Sequence, residues 1–359
     1  MSNTNKKLVP LNKDVVVLIK GLIIGKVLTL LVVGGLLWWL RPRLWDVTGA
    51  YSASDQSSDT ASAATASTFQ TVTDVPIGIF NYGGSPAWAP IRQVVDSQIQ
   101  SDRPELQLRY VDPANGSPGS NSGIRMLLDG QLDLAQSSRP LTDEEYAIAR
   151  QEGFTLEQHP VGIDGVAVVV NPSLQVPGLT VDQLRQIYQG QISNWSQVGG
   201  PDLPITPFSL RPEDADTVIF SGDNGLKKQP FGSNVQYAYS TTEALRKVSS
   251  TPGGLYYASA RAVLPQCSVK PLPLGSTPNQ LVPPYREPLV PPQQCPRQRN
   301  QVNTEVLKNG SYPITRKLFV ITKQNQGREQ QAGEAYTRLL LTDQGQKAIE
   351  QAGFMGVAD

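Results

Sequence analysis

Two short stretches combine glycine with hydroxyl side chains: Gly83-Gly84-Ser85, and the run Gly116-Ser117-Pro118-Gly119-Ser120-Asn121-Ser122-Gly123. Each lies between a strand-like run and a helix-like one. Free backbone N–H groups and the positive end of the macrodipole at a helix start favour an anion there. For either turn alone the plainer reading stays open, a tight turn capped by serine. Other chemistry is thinly supplied. His159 is the one histidine, and Cys267 and Cys295 are the two cysteines. That is too few for a structural zinc site of four Cys/His ligands, and it leaves few candidates for a Cys-His nucleophilic pair. No metal or cofactor is expected, and His159, at the end of the strand-like run 154–161, reads as structural. Lys and Arg number 31 and so do Asp and Glu, so no global field marks a nucleic-acid or polyanion binder. An anion would have to be held locally.

The elements that position these turns follow from periodicity. Residues 75–80 read as a strand that stops at Asn81. Trp88, Ile91, Val94, Val95 and Ile99 then recur at helical spacing. Residues 106–111 read as a second strand, 124–128 as a short helix and 132–135 as a third strand. This alternation predicts an α/β layered fold with parallel strands. At 359 residues the chain suits one large domain or two lobes. With 29 Pro, 31 Gly and only 17% charged residues, it reads as a loop-rich folded protein outside the cytosol.

Residues 21–40 are apolar except for Lys26 and Thr29 and end in Trp38-Trp39-Leu40, followed by Arg41 and Arg43. Twenty helical residues span about 30 Å, a bilayer core, and paired Trp beside Arg fits an interfacial anchor. A transmembrane helix or signal anchor is expected at 21–40, with 1–20 as a basic cytoplasmic N-terminus and the remainder exported. Lys6, Lys7, Lys13 and Lys20 precede the run, which favours that orientation. A cleaved leader and a secreted product are the alternative, with Thr48-Gly49-Ala50 the best site. Residues 46–73, rich in Ser, Ala and Thr, read as a tether, and 74–359 as the folded part. Cys267 and Cys295 flank a Pro-rich stretch, so in an oxidising compartment the pair would close that loop. Two unrelated buried thiols remain the other reading.

Three further stretches carry a family likeness. The first runs from Gly119-Ser120-Asn121-Ser122-Gly123 to Ser137-Ser138-Arg139-Pro140-Leu141. The second is Ile187-Tyr188-Gln189-Gly190 with Ile192-Ser193-Asn194-Trp195, followed by Val198-Gly199-Gly200-Pro201. The third combines Tyr312-Pro313-Ile314-Thr315-Arg316 with Asp343-Gln344-Gly345 and Ala352-Gly353-Phe354. In order and spacing residues 74–359 resemble the substrate-binding proteins of the phosphate ABC transporter. The resemblance implies a two-lobed periplasmic-binding-protein-like fold with crossover strands. The apolar run 165–170 is a natural buried crossover, and the last helices fall within 329–350.

The resemblance also implies a ligand set without metal: helix-start N–H groups, hydroxyls, one Arg and carboxylates. It places Ser85, Ala87, Ser120 and Ser138 on one side of the ligand and Arg211, Glu213, Asp216 and Thr217 on the other. The family motif runs Arg, any residue, Asp, Gly, Ser, Gly, Thr; here it reads Arg211-Pro212-Glu213-Asp214-Ala215-Asp216-Thr217. Arg211 and Thr217 match, and Glu213 stands where an Asp would orient the Arg. Ala215 lacks the expected hydroxyl, and Asp216 replaces a Gly. A carboxylate about 5 Å from a phosphate charge repels it by roughly 3 kcal/mol at an effective dielectric near 20. Pro86-Ala87 replaces a hydroxyl residue at the first turn, and Ser138 stands where some members use Asp. The implied function is a membrane-tethered extracytoplasmic solute-binding protein, not an enzyme, that captures phosphate or a related oxyanion for an ABC permease. The alternative is a degenerate binding fold acting as a sensor or interaction module.

Overall fold

The computed structural model describes residues 67–211 and 231–357. The expected membrane helix at 21–40 and most of the expected tether lie outside the described residues. Among the described residues, no helix is long and apolar enough to cross a membrane.

Strand and helix alternate through the first lobe: β1 (Gly78–Gly84), a helical run over 86–102 (α1), β2 (Leu106–Tyr110), α2 (Ser120–Leu128), β3 (Leu134–Ser137) and α3 (Asp143–Gln151). The chain then crosses on β4 (Thr155–Val170). The second lobe holds β5 (Leu179–Thr180), α4 (Val181–Tyr188), β6 (Thr206–Leu210), β7 (Gln236–Ala238), α5 (Thr241–Ser250), β8 (Gly254–Ser259), α6 (Ala260–Val263), β9 (Lys270–Leu272), β10 (Leu274–Gly275) and α7 (Thr304–Lys308). It returns on β11 (Thr315–Gln324) and ends with α8 (Arg328–Leu341) and α9 (Asp343–Gln351).

The main sheet runs β2-β1-β3-β11-β4-β8-β6-β7, with β9 also on β4. The expectation of parallel strands holds within each lobe, where β1 pairs in parallel with β2 and β3, and β6 with β7 and β8. It fails at the centre. β11 is antiparallel to both β3 and β4, and β4 to β8 and β9. One strand carries the chain out of the first lobe and the other carries it back, so the two run in opposite directions.

Each lobe has its own core. Trp88, Ile91, Val95 and Ile99 of α1 pack with Phe80, Tyr336 and Phe354 in the first. Tyr188, Trp195, Phe208 and Tyr256 fill the second, together with all five residues of the run 166–170. That run is continuously apolar because both of its faces are covered, and each large side chain removed from water contributes about 1.5–3 kcal/mol.

Three boundaries differ from the sequence reading. β1 begins later and runs through Asn81 to Gly84, because pairing with β2 and then β3 holds those residues extended. Ile77, expected in the strand, is exposed. Residues 67–73 belong to the fold rather than to a tether: Phe69 is fully buried, and Ser67 N donates to Asp343 Oδ2 at 2.6 Å. Arg103 Nη1 also donates to the Phe69 carbonyl at 3.0 Å.

Cys267 and Cys295 are joined as a disulfide, their Cα atoms 5.7 Å apart. The bridge closes the Pro-rich stretch that contains β9 and β10. His159, on β4, lies 3.2 Å from Thr322 Oγ1 and 3.5 Å from Glu157 Oε2, at the surface of the crossover pair.

Candidate functional site

Three serines from three successive strand-to-helix turns meet at one point. Ser85 follows β1, caps α1 and lies 2.7 Å, oxygen to oxygen, from the Ser138 hydroxyl. Ser120, the first residue of α2, accepts from Ser138 N–H at 2.9 Å and has its Oγ 3.5 Å from Ser138 Oγ. All three are buried. Two glycines set their spacing. A β-carbon on Gly123 would fall 2.5 Å from Gly84 Cα, and one on Gly84, where φ is +127°, would fall 2.2 Å from the Gln136 carbonyl oxygen. Backbone can approach backbone this closely only without side chains, and this brings the two glycine-serine turns side by side.

α1 is shaped around the first turn. Pro86 occupies its start, where a missing N–H costs nothing, and the Ala87 N–H is taken by Ser85 Oγ at 3.3 Å. Beyond Pro90 the helix widens to i→i+5 hydrogen bonds over Arg92–Asp96, the kind of insertion that recurs at functional sites. Arg92 Nη1 donates back to the Ser85 carbonyl at 3.3 Å and to Gln136 Oε1 at 2.7 Å, so a guanidinium supports the turn from behind.

Ser85, Ala87 and Ser120 face residues of the second lobe across a cavity of about 70 Å3. Ser209 at the end of β6, Thr241 at the start of α5, and Tyr256 and Ser259 on β8 supply the other wall. Arg316 lines it from β11. Its Nε donates to Asp164 Oδ2 at 3.0 Å, and Ser259 Oγ donates to the other oxygen at 2.8 Å. Burial pushes the Asp164 carboxyl above the usual carboxylate range, and the Arg316 charge opposes that rise. The cavity therefore offers hydroxyls from both lobes and a guanidinium at the crossover. Such a set binds an oxyanion by charge-assisted hydrogen bonds. Nearby, Arg139 is committed to the fold, forked onto Glu145 at 2.6 and 3.0 Å.

Of the residues named from sequence, Ser85, Ala87, Ser120 and Ser138 lie close together. Arg211 follows directly on Ser209 and Leu210, which line the cavity, and is itself exposed. Glu213, Asp216 and Thr217 lie outside the described residues. Sequence reasoning did not single out Arg316, Asp164, Ser259, Thr241 or Tyr256 as site residues. One signal was present: Asp164 is a lone carboxylate between Ile163 and the apolar run 165–170, and a charge inside a buried strand calls for a partner.

Fold and family together define a two-lobed solute-binding protein rather than an enzyme. The chain belongs to the PBP superfamily domain family, whose model matches residues 51–344. Among curated relatives it is similar to the phosphate-binding protein PstS of Staphylococcus haemolyticus, with 24% identity over 281 residues, 76% of this chain and 79% of the relative. Among solved structures it is similar to a Clostridium perfringens chain with bound phosphate, assigned as a phosphate ABC transporter substrate-binding protein. That match has a TM-score of 0.60 at 20% identity and covers 78% of this chain and 100% of the other. An ABC-type phosphate transport receptor from Vibrio cholerae gives a TM-score of 0.55 at 21% identity, with coverage of 78% and 100%. At these identities the structural matches speak for the fold.

Proposed function

We propose that this protein captures phosphate or a closely related oxyanion between its lobes and delivers it to an ABC permease. The observation that carries the reading is the meeting of Ser85 and Ser120, joined through Ser138, at one wall of a cavity whose other side presents Ser209 and Arg316. The names of the relatives, phosphate-binding protein and phosphate transport receptor, support the same ligand. Arg211, with Glu213 orienting it, and Thr217 would complete the grip from the segment after β6 when the lobes close.

The apolar run 21–40 would hold the protein in the membrane with the lobes outside the cytoplasm, and the segment after it would serve as the tether. Pro86, Ala215 and Asp216 favour a second reading, a site that has lost tight phosphate binding and serves as a sensor or interaction module. Titration calorimetry of the full-length protein in detergent with phosphate, sulfate and arsenate separates the two. Saturable heat with phosphate supports capture, and no heat at millimolar phosphate contradicts it.

A further inference from the structure

The small cavity adjoins a larger space. This chamber measures about 720 Å3 and shares Pro86, Leu210, Thr241 and Ala262 with it. It lies within the roughly 300–1,000 Å3 typical of organic-ligand pockets, whereas a cavity of about 70 Å3 is on the scale of a phosphoryl group. Arg92, Tyr110 and Asp112 of the first lobe line it, as do Tyr239 and Arg246 of the second.

The chamber persists although the lobes already touch at its rim. Tyr239 OH donates to the Gly116 carbonyl at 3.0 Å, and Ser117 Oγ donates to the Tyr239 carbonyl at 3.0 Å. These two reciprocal bonds bridge the lobes beside the space without filling it. Its inner wall is held by contacts of its own: Arg92 is anchored to Ser85 and Gln136 and lies 4.3 Å over the Tyr110 ring.

Pro86 stands at the junction of the two spaces. It has no N–H to give, so an oxygen of the ligand that faces it receives no donor from that backbone position. For inorganic phosphate this is a loss, since every oxygen seeks a donor. For a monoester it is not, because the bridging oxygen bears carbon and little charge. The donor gap and the roomy chamber therefore coincide.

We infer that the site takes a phosphate monoester, with the phosphoryl group in the small cavity and a compact hydroxylated substituent in the chamber. Ser120, Ser209 and Arg316 meet the phosphoryl oxygens, and the substituent passes Pro86 toward Arg246, Asp112 and the two tyrosines. This inference rests on the oxyanion-capture reading.

The test is calorimetry of the full-length protein with inorganic phosphate, glycerol 3-phosphate and glycerol. Glycerol 3-phosphate is expected to bind at least about tenfold more tightly than phosphate, and glycerol not at all. Ala89→Trp fills the chamber from an exposed position. It is expected to weaken the monoester by about tenfold or more and leave phosphate unchanged. Phosphate binding with no preference for the monoester, or an Ala89→Trp variant that weakens both ligands equally, overturns the inference alone. Failure of both phosphate and glycerol 3-phosphate to bind overturns the capture reading with it.

Discussion

Arg316 and Asp164 stand directly opposite each other on β11 and β4, joined from Nε to Oδ2 at 3.0 Å. The bond thus sits on the two strands by which the chain crosses between its lobes, beside the cavity. Asp164 is almost fully buried, so its charge depends on this partner and on Ser259.

Arg316→Ala leaves that carboxylate buried with one hydrogen bond. The expected loss is about 3–5 kcal/mol of stability, the range for breaking a buried pair, read as a fall in the urea midpoint. Arg316→Lys keeps the charge and loses less. An unchanged midpoint in Arg316→Ala shows that the pair contributes nothing to the crossover.

Gly123→Ala places a methyl group against Gly84 Cα and forces the first two turns apart. The expected cost is about 1–3 kcal/mol, as for overpacking elsewhere, together with weaker phosphate binding as Ser85 and Ser120 separate. Wild-type affinity in this variant, measured by calorimetry, counts against the idea that the two turns form one site.

Asp96 accepts from Tyr82 OH at 2.6 Å and from Tyr336 OH at 2.8 Å. Burial raises its carboxyl from 3.8 to about 6, against the pull of those hydroxyls and of Arg92. The folded state therefore binds a proton that the unfolded chain has released, and stability from this group is full below about pH 4. It falls as pH rises to about 6 by roughly 3 kcal/mol and is flat above that. Relative to Asp96→Asn, the wild type is expected to lose stability across that window in urea titrations. Parallel pH profiles for the two proteins contradict the assignment.

The basic flank before residue 21 and the Arg41-Pro42-Arg43 sequence after the apolar run predict an uncleaved anchor. The mature protein is expected to resist a carbonate wash and to keep its first fifty residues by mass spectrometry. A mature N-terminus near Tyr51 identifies a cleaved leader instead.

What was legible in the sequence was local. Ser85, Ser120 and Ser138 each follow a strand, and turn chemistry is written in neighbouring residues. The run 165–170 announced a buried strand by its composition. The Arg316–Asp164 pair was not legible, because antiparallel pairing joins residues 152 positions apart and nothing near either one specifies the register. Phe69 was hidden for a similar reason: it lies in a polar stretch, and residues distant in sequence tie it down, Gln344 of α9 at 2.9 Å from its N–H and Arg103 at its carbonyl. The late start of β1 reflects partners in β2 and β3 that override the apolar run at 75–80.

The most direct measurement compares phosphate binding by the full-length wild type, Arg211→Ala and the triple variant Pro86→Thr, Ala215→Ser, Asp216→Gly. If Arg211 clamps the oxyanion, its loss weakens binding by about 1.5–3 kcal/mol, as for a charged hydrogen bond. The triple variant adds hydroxyls at positions 86 and 215, removes a carboxylate and binds phosphate more tightly. A wild type that shows no phosphate binding at millimolar concentration, with no gain in the triple variant, contradicts phosphate capture.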